Sequence, residues 1–169
     1  MDPDHGAELF ELTQRMALAA GLPAYEVSNH ARPGRESRHN LTYWRYGEYA
    51  GIGPGAHGRR GTLATVRHRK PENWLNSVSR NGHGCQLEDP LTPAERAREA
   101  LVMGLRLREG VDLEALAKRC DVDPETLINR RRANLLESYD LVLLKEHRLF
   151  VLPKGMLLLD RILAELVET

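Results

Sequence analysis

A glycine-rich stretch without regularly spaced apolar residues separates the two ends of this 169-residue chain. Residues 31–62 contain seven glycines and show little helical or strand periodicity. A connection of this length inside a compact domain is usually functional or mobile. The regular elements must therefore lie before and after it, and the chain has room for one full domain or two small ones.

A short helix–strand unit precedes the glycine-rich stretch. Apolar residues at three- and four-residue steps predict a helix over 6–20, followed by a C-terminal cap at Gly21. Residues 25–28 are typical of a short strand. One such unit cannot bury its own faces, so we expect a further segment N-terminal to it. The following elements are predicted as a strand at 62–68, a helix at 71–79 and a polar linker at 80–90.

The chain from residue 91 onward carries the clearest helix signals. Thr92, Pro93 and Glu95 have the spacing of a capping box, and Gly110 is the expected end of that helix. Asp112 begins a second helix.

A third helix, a hairpin and a last helix follow these two. Asp123 is the expected cap of the third helix, with Pro124 at its first position. The hairpin is predicted at 141–152 and the last helix at 154–168. This order predicts a winged-helix-like domain over 91–169, and the fold class as a whole is α+β.

Composition and charge exclude several classes of protein. The chain carries 24 basic and 24 acidic residues, so no overall field draws it to nucleic acid or to an anionic membrane. It has no apolar run of about 18 residues, and its N-terminus lacks the features of a signal peptide. We therefore expect a cytoplasmic protein in which Cys85 and Cys120 are free thiols.

The glycine-rich stretch contains a cluster of histidine, asparagine and aromatic residues. His39, Asn40, Tyr43 and Trp44 lie within six residues. Imidazole binds haem iron and other transition metals, and aromatic faces can hold a flat macrocycle. In a purely structural alternative, the aromatic rings anchor the loop while His39 and Asn40 hydrogen-bond its backbone. Spacing alone favours the structural alternative.

The run GIGPGAHG, residues 51–58, is open to two interpretations. Its glycines permit close packing of the backbone or close approach of a ligand. The run is neither a dinucleotide fingerprint nor a phosphate-binding loop, because it lacks their spacing and the required Lys-Ser/Thr. The sequence shows no catalytic triad or other nucleophile–base set.

The three arginines at 130–132 raise the alternative of DNA binding. The third helix of a DNA-binding winged helix enters the major groove. However, three consecutive residues cannot share one helix face, and acidic residues surround the run. A solvated or docking surface is therefore favoured over a nucleic-acid interface.

The stretch from Tyr25 to Gly58 resembles a specific family. It is similar to the region that follows the radical-SAM barrel in the oxygen-independent coproporphyrinogen III oxidase-like family, and most similar to the HemW-like haem chaperones. The H-N-x-x-Y-W motif of that branch corresponds to residues 39–44. Residues 91–167 resemble the winged-helix-like C-terminal domain of the family. The resemblance implies that residues 1–85 are the terminal helix–strand portion of a partial TIM-type barrel.

The resemblance also implies roles for individual residues. His39 is expected to bind haem iron, supported by Asn40, Tyr43 and Trp44. A further set is similar to the wall of a pocket for S-adenosylmethionine: Leu41, Thr42, Gly53, Gly55, Ala56 and His57. A [4Fe-4S] cluster and S-adenosylmethionine are expected only in an intact relative, because this chain has no Cys-x-x-x-Cys-x-x-Cys motif.

The expected partners follow from the same resemblance. They are haem or another porphyrin, a haem-acceptor protein and the missing N-terminal barrel, but not nucleic acid. Peripheral membrane association is expected of the intact protein, and self-association of this chain. The alternative functions are part of an oxygen-independent coproporphyrinogen III oxidase, and a winged-helix DNA-binding protein. The chain by itself is not expected to perform radical chemistry.

Overall fold

The computed structural model describes residues 3–167 and has the mixed α+β content that the sequence predicts. The α-helices are α1 (Pro3–Ala19), α2 (Arg38–Trp44), α3 (Pro71–Asn81), α4 (Pro93–Gly104), α5 (Leu113–Cys120), α6 (Arg130–Ser138) and α7 (Leu159–Leu166). The strands are β1 (His57–Arg60), β2 (Leu63–Arg67), β3 (Cys85–Pro90), β4 (Val111–Asp112), β5 (Val142–Lys145) and β6 (Arg148–Val151). Two 3-10 helices span Pro124–Thr126 and Pro153–Leu158.

Two small antiparallel sheets organise the chain. The first has the order β1-β2-β3 and the second the order β4-β6-β5. Strand β3 lies where the sequence predicts a linker, so that prediction is wrong. Its residues are largely exposed because β3 lies at the edge of its sheet, and an edge strand needs few apolar residues. The division of the chain into units 1–85 and 91–169 stays a prediction.

The hydrophobic core lies in the second half of the chain. Every buried apolar residue in the described part of the chain falls between Ala97 and Val167. The core includes Leu101 of α4, Leu113 of α5 and Leu149 of β6, each almost fully buried. By contrast, the apolar stripe predicted on α1 is exposed: Met16 retains 64% of its accessible surface. Helix α1 therefore adds little apolar burial.

The capping box at the start of α4 is confirmed. The Thr92 hydroxyl accepts a hydrogen bond from the Glu95 N–H, and the Glu95 carboxylate accepts one from the Thr92 N–H. The helix ends at Gly104 rather than near Gly110, and turns occupy much of the chain between them. Gly110 instead has φ of +64° and leads into β4.

The predictions for the later elements are confirmed in part. Asp112 caps α5, and the hairpin of β5 and β6 forms as predicted. The predicted third helix is divided, because Asp123 caps only the 3-10 helix and Asn129 begins α6. The last helix likewise starts as a 3-10 helix. The winged-helix-like classification of this part stays a prediction.

The first half of the chain differs from prediction in two places. Residues 25–28 do not form a strand, because within this range only Glu26 makes an isolated bridge, to Leu107. The Glu26 side chain accepts hydrogen bonds from Ser28 and Asn29, and such local bonds compete with an extended strand. The stretch 31–62, predicted as a loop, contains α2 and β1. The strand at 62–68 and the helix at 71–79 are confirmed as β2 and α3.

Candidate functional site

The H-N-x-x-Y-W motif occupies the short helix α2. Ser37 caps the helix, because its hydroxyl accepts a hydrogen bond from the Asn40 N–H over 3.3 Å. The Thr42 hydroxyl donates to the Arg38 carbonyl at 2.9 Å. No residue of α2 is fully buried. Local caps, together with contacts made by individual side chains, therefore hold this helix.

The helix brings His39 and Tyr43 onto one face. Residues four apart on a helix are neighbours, and the two rings lie 4.7 Å apart, edge to face. Tyr43 in turn meets the Tyr49 ring at 4.3 Å, also edge to face. His39 remains exposed at the end of this row of rings. The row fixes the ring of Tyr43 while leaving the imidazole open to a ligand.

The other two residues of the predicted haem set point to structural neighbours. The Asn40 amide donates to the Tyr25 hydroxyl at 3.2 Å. Trp44 is half-buried, and its indole nitrogen is buried with no hydrogen-bond partner. Trp44 lines a cavity of about 250 Å³ together with Gly104 and Leu107. Both side chains therefore position α2 against the rest of the chain.

An ion pair links the end of α2 to the turn before β4. The Arg45 guanidinium donates two hydrogen bonds of 2.8 Å to the Glu109 carboxylate. Arg119 of α5 also donates to the Arg45 carbonyl at 3.2 Å. The hydrogen bond from Arg45 holds the pKa of the Glu109 carboxyl below its ordinary value, although burial raises it.

This pair makes stability depend on pH. Because the folded-state pKa of Glu109 is lowered, its stabilisation is present above the unfolded-state pKa of about 4.5 and is lost as the pH falls through the folded-state value. We expect the urea midpoint to fall more between about pH 6 and about pH 3 in the unmodified chain than in Glu109→Gln. Parallel falls in the two proteins would contradict the assignment.

The glycine run before β1 has two kinds of position. A Cβ on Gly51 would lie 2.2 Å from the His57 carbonyl oxygen, and one on Gly58 would lie 2.6 Å from the Thr65 hydroxyl oxygen. These two glycines therefore serve close packing. Gly53 and Gly55 have φ of +95° and +73°, and a Cβ on either would meet no atom closer than 3.9 Å.

The remaining members of the predicted pocket wall lie in the same two segments. Leu41 and Thr42 are half-buried in α2, Ala56 is half-buried and His57 is exposed. The Arg67 N–H donates to the Ala56 carbonyl at 2.8 Å, which joins the run to β2. Their role as a wall for S-adenosylmethionine stays a prediction.

A charged cluster around the buried side chain of Arg59, beside the motif, could not be predicted from the sequence. Arg59 of β1 donates to the Glu99 carboxylate of α4 at 2.8 Å, and its guanidinium carbon lies 3.6 Å from the centroid of the Tyr46 ring. The Tyr46 hydroxyl donates to the same carboxylate at 2.8 Å. Burial and the Glu99 contact raise the pKa of Tyr46 above its ordinary value. No local spacing indicates a contact between residues 40 positions apart.

The three arginines at 130–132 do not present a uniformly basic face. Arg130 pairs with Glu125, and Arg132 pairs with Glu165, each at 3.2 Å. Arg131 is exposed. Two of the three charges are therefore balanced by carboxylates, which does not favour a nucleic-acid interface.

Between residues 3 and 167 there is no group of three or more His, Cys, Asp or Glu side chains placed to hold a metal ion. Cys85 and Cys120 are free, as expected. None of the described helices combines the length and apolar character needed to cross a membrane.

A family profile and several known proteins are similar to this chain. The profile of the HemN C-terminal domain family matches residues 91–158. A mouse protein, "Radical S-adenosyl methionine domain-containing protein 1, mitochondrial", is 44% identical over 65% of this chain and 27% of its own length. "Heme chaperone HemW" of Mycobacterium tuberculosis is 31% identical over 98% of this chain and 40% of its own length. The chain thus spans between about a quarter and two fifths of these relatives.

A solved structure shares the fold. The chain is similar to the Escherichia coli protein described as "Coproporphyrinogen III oxidase (HemN)", a radical SAM enzyme, with a TM-score of 0.75. The match covers 96% of this chain and 41% of the other, at 17% identity. At this identity the likeness concerns the fold alone.

Proposed function

Because the chain belongs to the HemW-like branch of the oxygen-independent coproporphyrinogen III oxidase-like family, we propose that it forms the haem-binding part of a haem-transfer chaperone. His39 is the proposed ligand of the haem iron. The observation that carries the proposal is the exposed imidazole of His39, supported on one side by the Tyr43 ring. A neutral imidazole nitrogen is a common axial ligand of haem.

The surroundings of His39 suit a flat amphipathic cargo. Tyr43 and Tyr49 offer aromatic surface beside the imidazole. Arg38 is exposed at the first position of α2, where its guanidinium could pair with a carboxylate of a porphyrin. Asn40 and Trp44 act in this proposal by holding α2 in place. In the proposed chaperone function, His39 captures the haem, and the chain then passes it to an acceptor protein.

Family membership implies two cofactors for an intact protein, S-adenosylmethionine and an iron–sulfur cluster. The residues of this chain suit the first of them but not the second. The open backbone at Gly53 and Gly55 suits one wall of a site for S-adenosylmethionine. The two cysteines do not suit an iron–sulfur cluster, which needs more thiolates than Cys85 and Cys120 supply. The residues of this chain are therefore assigned no radical step. We also propose that the protein is located in the cytoplasm.

A titration with haem tests the role of His39. We expect an absorbance shift of the Soret band that saturates at about one haem per chain and is lost in His39→Ala. His5→Ala is the matched control, because His5 is an exposed histidine on α1 and its removal should leave the shift intact. An equal shift in His39→Ala would contradict the proposal.

The likeness in fold to the coproporphyrinogen III oxidase favours a second candidate. In that case the chain is part of a porphyrinogen-decarboxylating enzyme, and α2 with the glycine run lines its cofactor site. The same titration separates the two candidates. Absence of any saturable haem binding, in a chain whose circular dichroism shows it to be folded, favours the oxidase alternative.

A further inference from the structure

A second cleft lies away from the motif, between α1 and the 3-10 helix of Pro153–Leu158. Its volume is about 370 Å³. Its lining combines apolar and cationic side chains: Phe10, Arg15, Arg108, Pro153, Lys154 and Leu157. We call this space the α1 cleft. The combination distinguishes it from an ordinary apolar groove.

Arg108 has no partner for its side chain among the described residues. It is half-buried, and burial lowers the pKa of its guanidinium. The structure supplies every other buried or half-buried arginine in residues 3–167 with a carboxylate or carbonyl acceptor: Arg59, Arg67, Arg96, Arg106, Arg130 and Arg148. Arg108 is therefore the exception in its class.

A neighbouring arginine shows what Arg108 lacks. Arg106 lies two residues earlier and donates to the Asp160 carboxylate at 3.2 Å and to the Val102 carbonyl at 3.2 Å. Removing a charged group from water costs free energy unless the group gains a partner in the protein. The cleft at Arg108 thus presents a partly desolvated cation whose hydrogen-bond donors are available to a ligand.

The remaining lining defines which ligand fits. Arg15 is exposed and without a side-chain partner in the described structure, while Lys154 donates to the Tyr139 carbonyl at 2.8 Å. Glu11 is the one acidic residue in the lining, against three basic residues. Phe10 packs against the core, and Leu157 retains 40% of its accessible surface. The cleft is therefore cationic with an apolar wall.

We propose that the α1 cleft binds a small organic anion with an apolar body, whose carboxylate or phosphate head pairs with the guanidinium of Arg108. A planar guanidinium matches such heads with two parallel hydrogen bonds. The apolar body of the ligand lies against Phe10 and Leu157. Arg15 adds a second positive charge near the mouth.

Binding of cis-parinarate, a fatty acid that fluoresces in apolar surroundings, tests this proposal. We expect saturable binding that weakens about tenfold in Arg108→Gln, because a charge-assisted hydrogen bond is lost. Arg131→Gln is the matched control, since it removes one exposed arginine outside the cleft and should leave binding unchanged. The methyl ester of the same fatty acid, which has no charge, should bind about tenfold more weakly than the acid.

Three results would overturn the proposal. One is equal affinity of the acid for Arg108→Gln and Arg131→Gln, and another is equal affinity of the acid and its methyl ester. The third is binding of the chain to phosphatidylglycerol vesicles without binding of the free acid. In that case the basic residues of the cleft contact an anionic membrane surface rather than a free ligand. Leu157→Ser, a change at a partly exposed residue, should weaken the acid and its ester together, and unaltered affinity for both would remove the apolar wall from the proposal.

Discussion

Glu99→Ala should lower the free energy of unfolding by about 3 kcal/mol, because it leaves a buried charge without its counter-ion. The side chain of Arg59 is 8% exposed, and the Glu99 carboxylate is its one hydrogen-bond partner among the described residues. The other two guanidinium nitrogens of Arg59 are buried and unpaired. Urea unfolding followed by circular dichroism measures the loss.

Glu88→Ala is the matched control for this experiment. It removes the partner of Arg60, but both side chains of that pair are more than half exposed. An exposed pair contributes about 0–1 kcal/mol, so we expect a small change. The double variant Arg59→Leu with Glu99→Ala should recover part of the loss, since it removes both charges. Equal losses in Glu99→Ala and Glu88→Ala would show that Arg59 finds another partner.

Gly110→Ala should also destabilise the chain, by about 2–5 kcal/mol. The position needs φ of +64°, where a side chain is strained. The added Cβ would also lie 2.4 Å from the Leu149 carbonyl oxygen, in a strand that cannot move without disturbing the core. The measurement is again urea unfolding.

Gly61→Ala separates strain from steric overlap. Gly61 has a similar φ of +58°, but a Cβ there would meet no atom within 4 Å. We expect a loss of about 1–2 kcal/mol from strain alone. If Gly61→Ala and Gly110→Ala lose the same free energy, the approach of Leu149 does not matter to stability.

The predictions from sequence succeeded where the determinants are local. The cap of α4 needs only Thr92 and Glu95, which are three residues apart, and the cap of α5 needs Asp112 and the N–H of Ala115. Capping signals of this kind are complete within one turn. The helices they begin could therefore be predicted without knowledge of the rest of the chain.

The failures have a common physical cause, which is dependence on distant partners. Strand β3 forms because β2 offers it hydrogen bonds, although its own sequence is polar. Helix α2 buries no residue completely, so it has no apolar stripe to recognise. Residues 25–28 are a partial exception, because local hydrogen bonds to the Glu26 carboxylate oppose a strand there and only the bridge to Leu107 is distant.

The candidate site likewise combines local contacts, which the sequence predicts, with distant contacts, which it does not. The proximity of His39 and Tyr43 follows from their spacing once a helix is assumed. The contacts of Tyr43 with Tyr49, and of Asn40 with Tyr25, require the tertiary fold. The ligand role of His39 rests on resemblance, because neither spacing nor burial distinguishes an exposed histidine that binds haem from one that does not.

The placement of the core has a consequence for how the chain responds to its solvent. The buried apolar residues of the described chain all belong to residues 97–167, while α2 and β1 reach that part through charged contacts such as Arg45 with Glu109 and Arg59 with Glu99. Trp44 and Tyr46 add apolar contact to this junction, but both are only half-buried. The charged contacts therefore carry part of the free energy that joins these segments, and the exposed part of it weakens as ionic strength rises. Added salt should loosen the support of His39 at concentrations that leave the core unchanged.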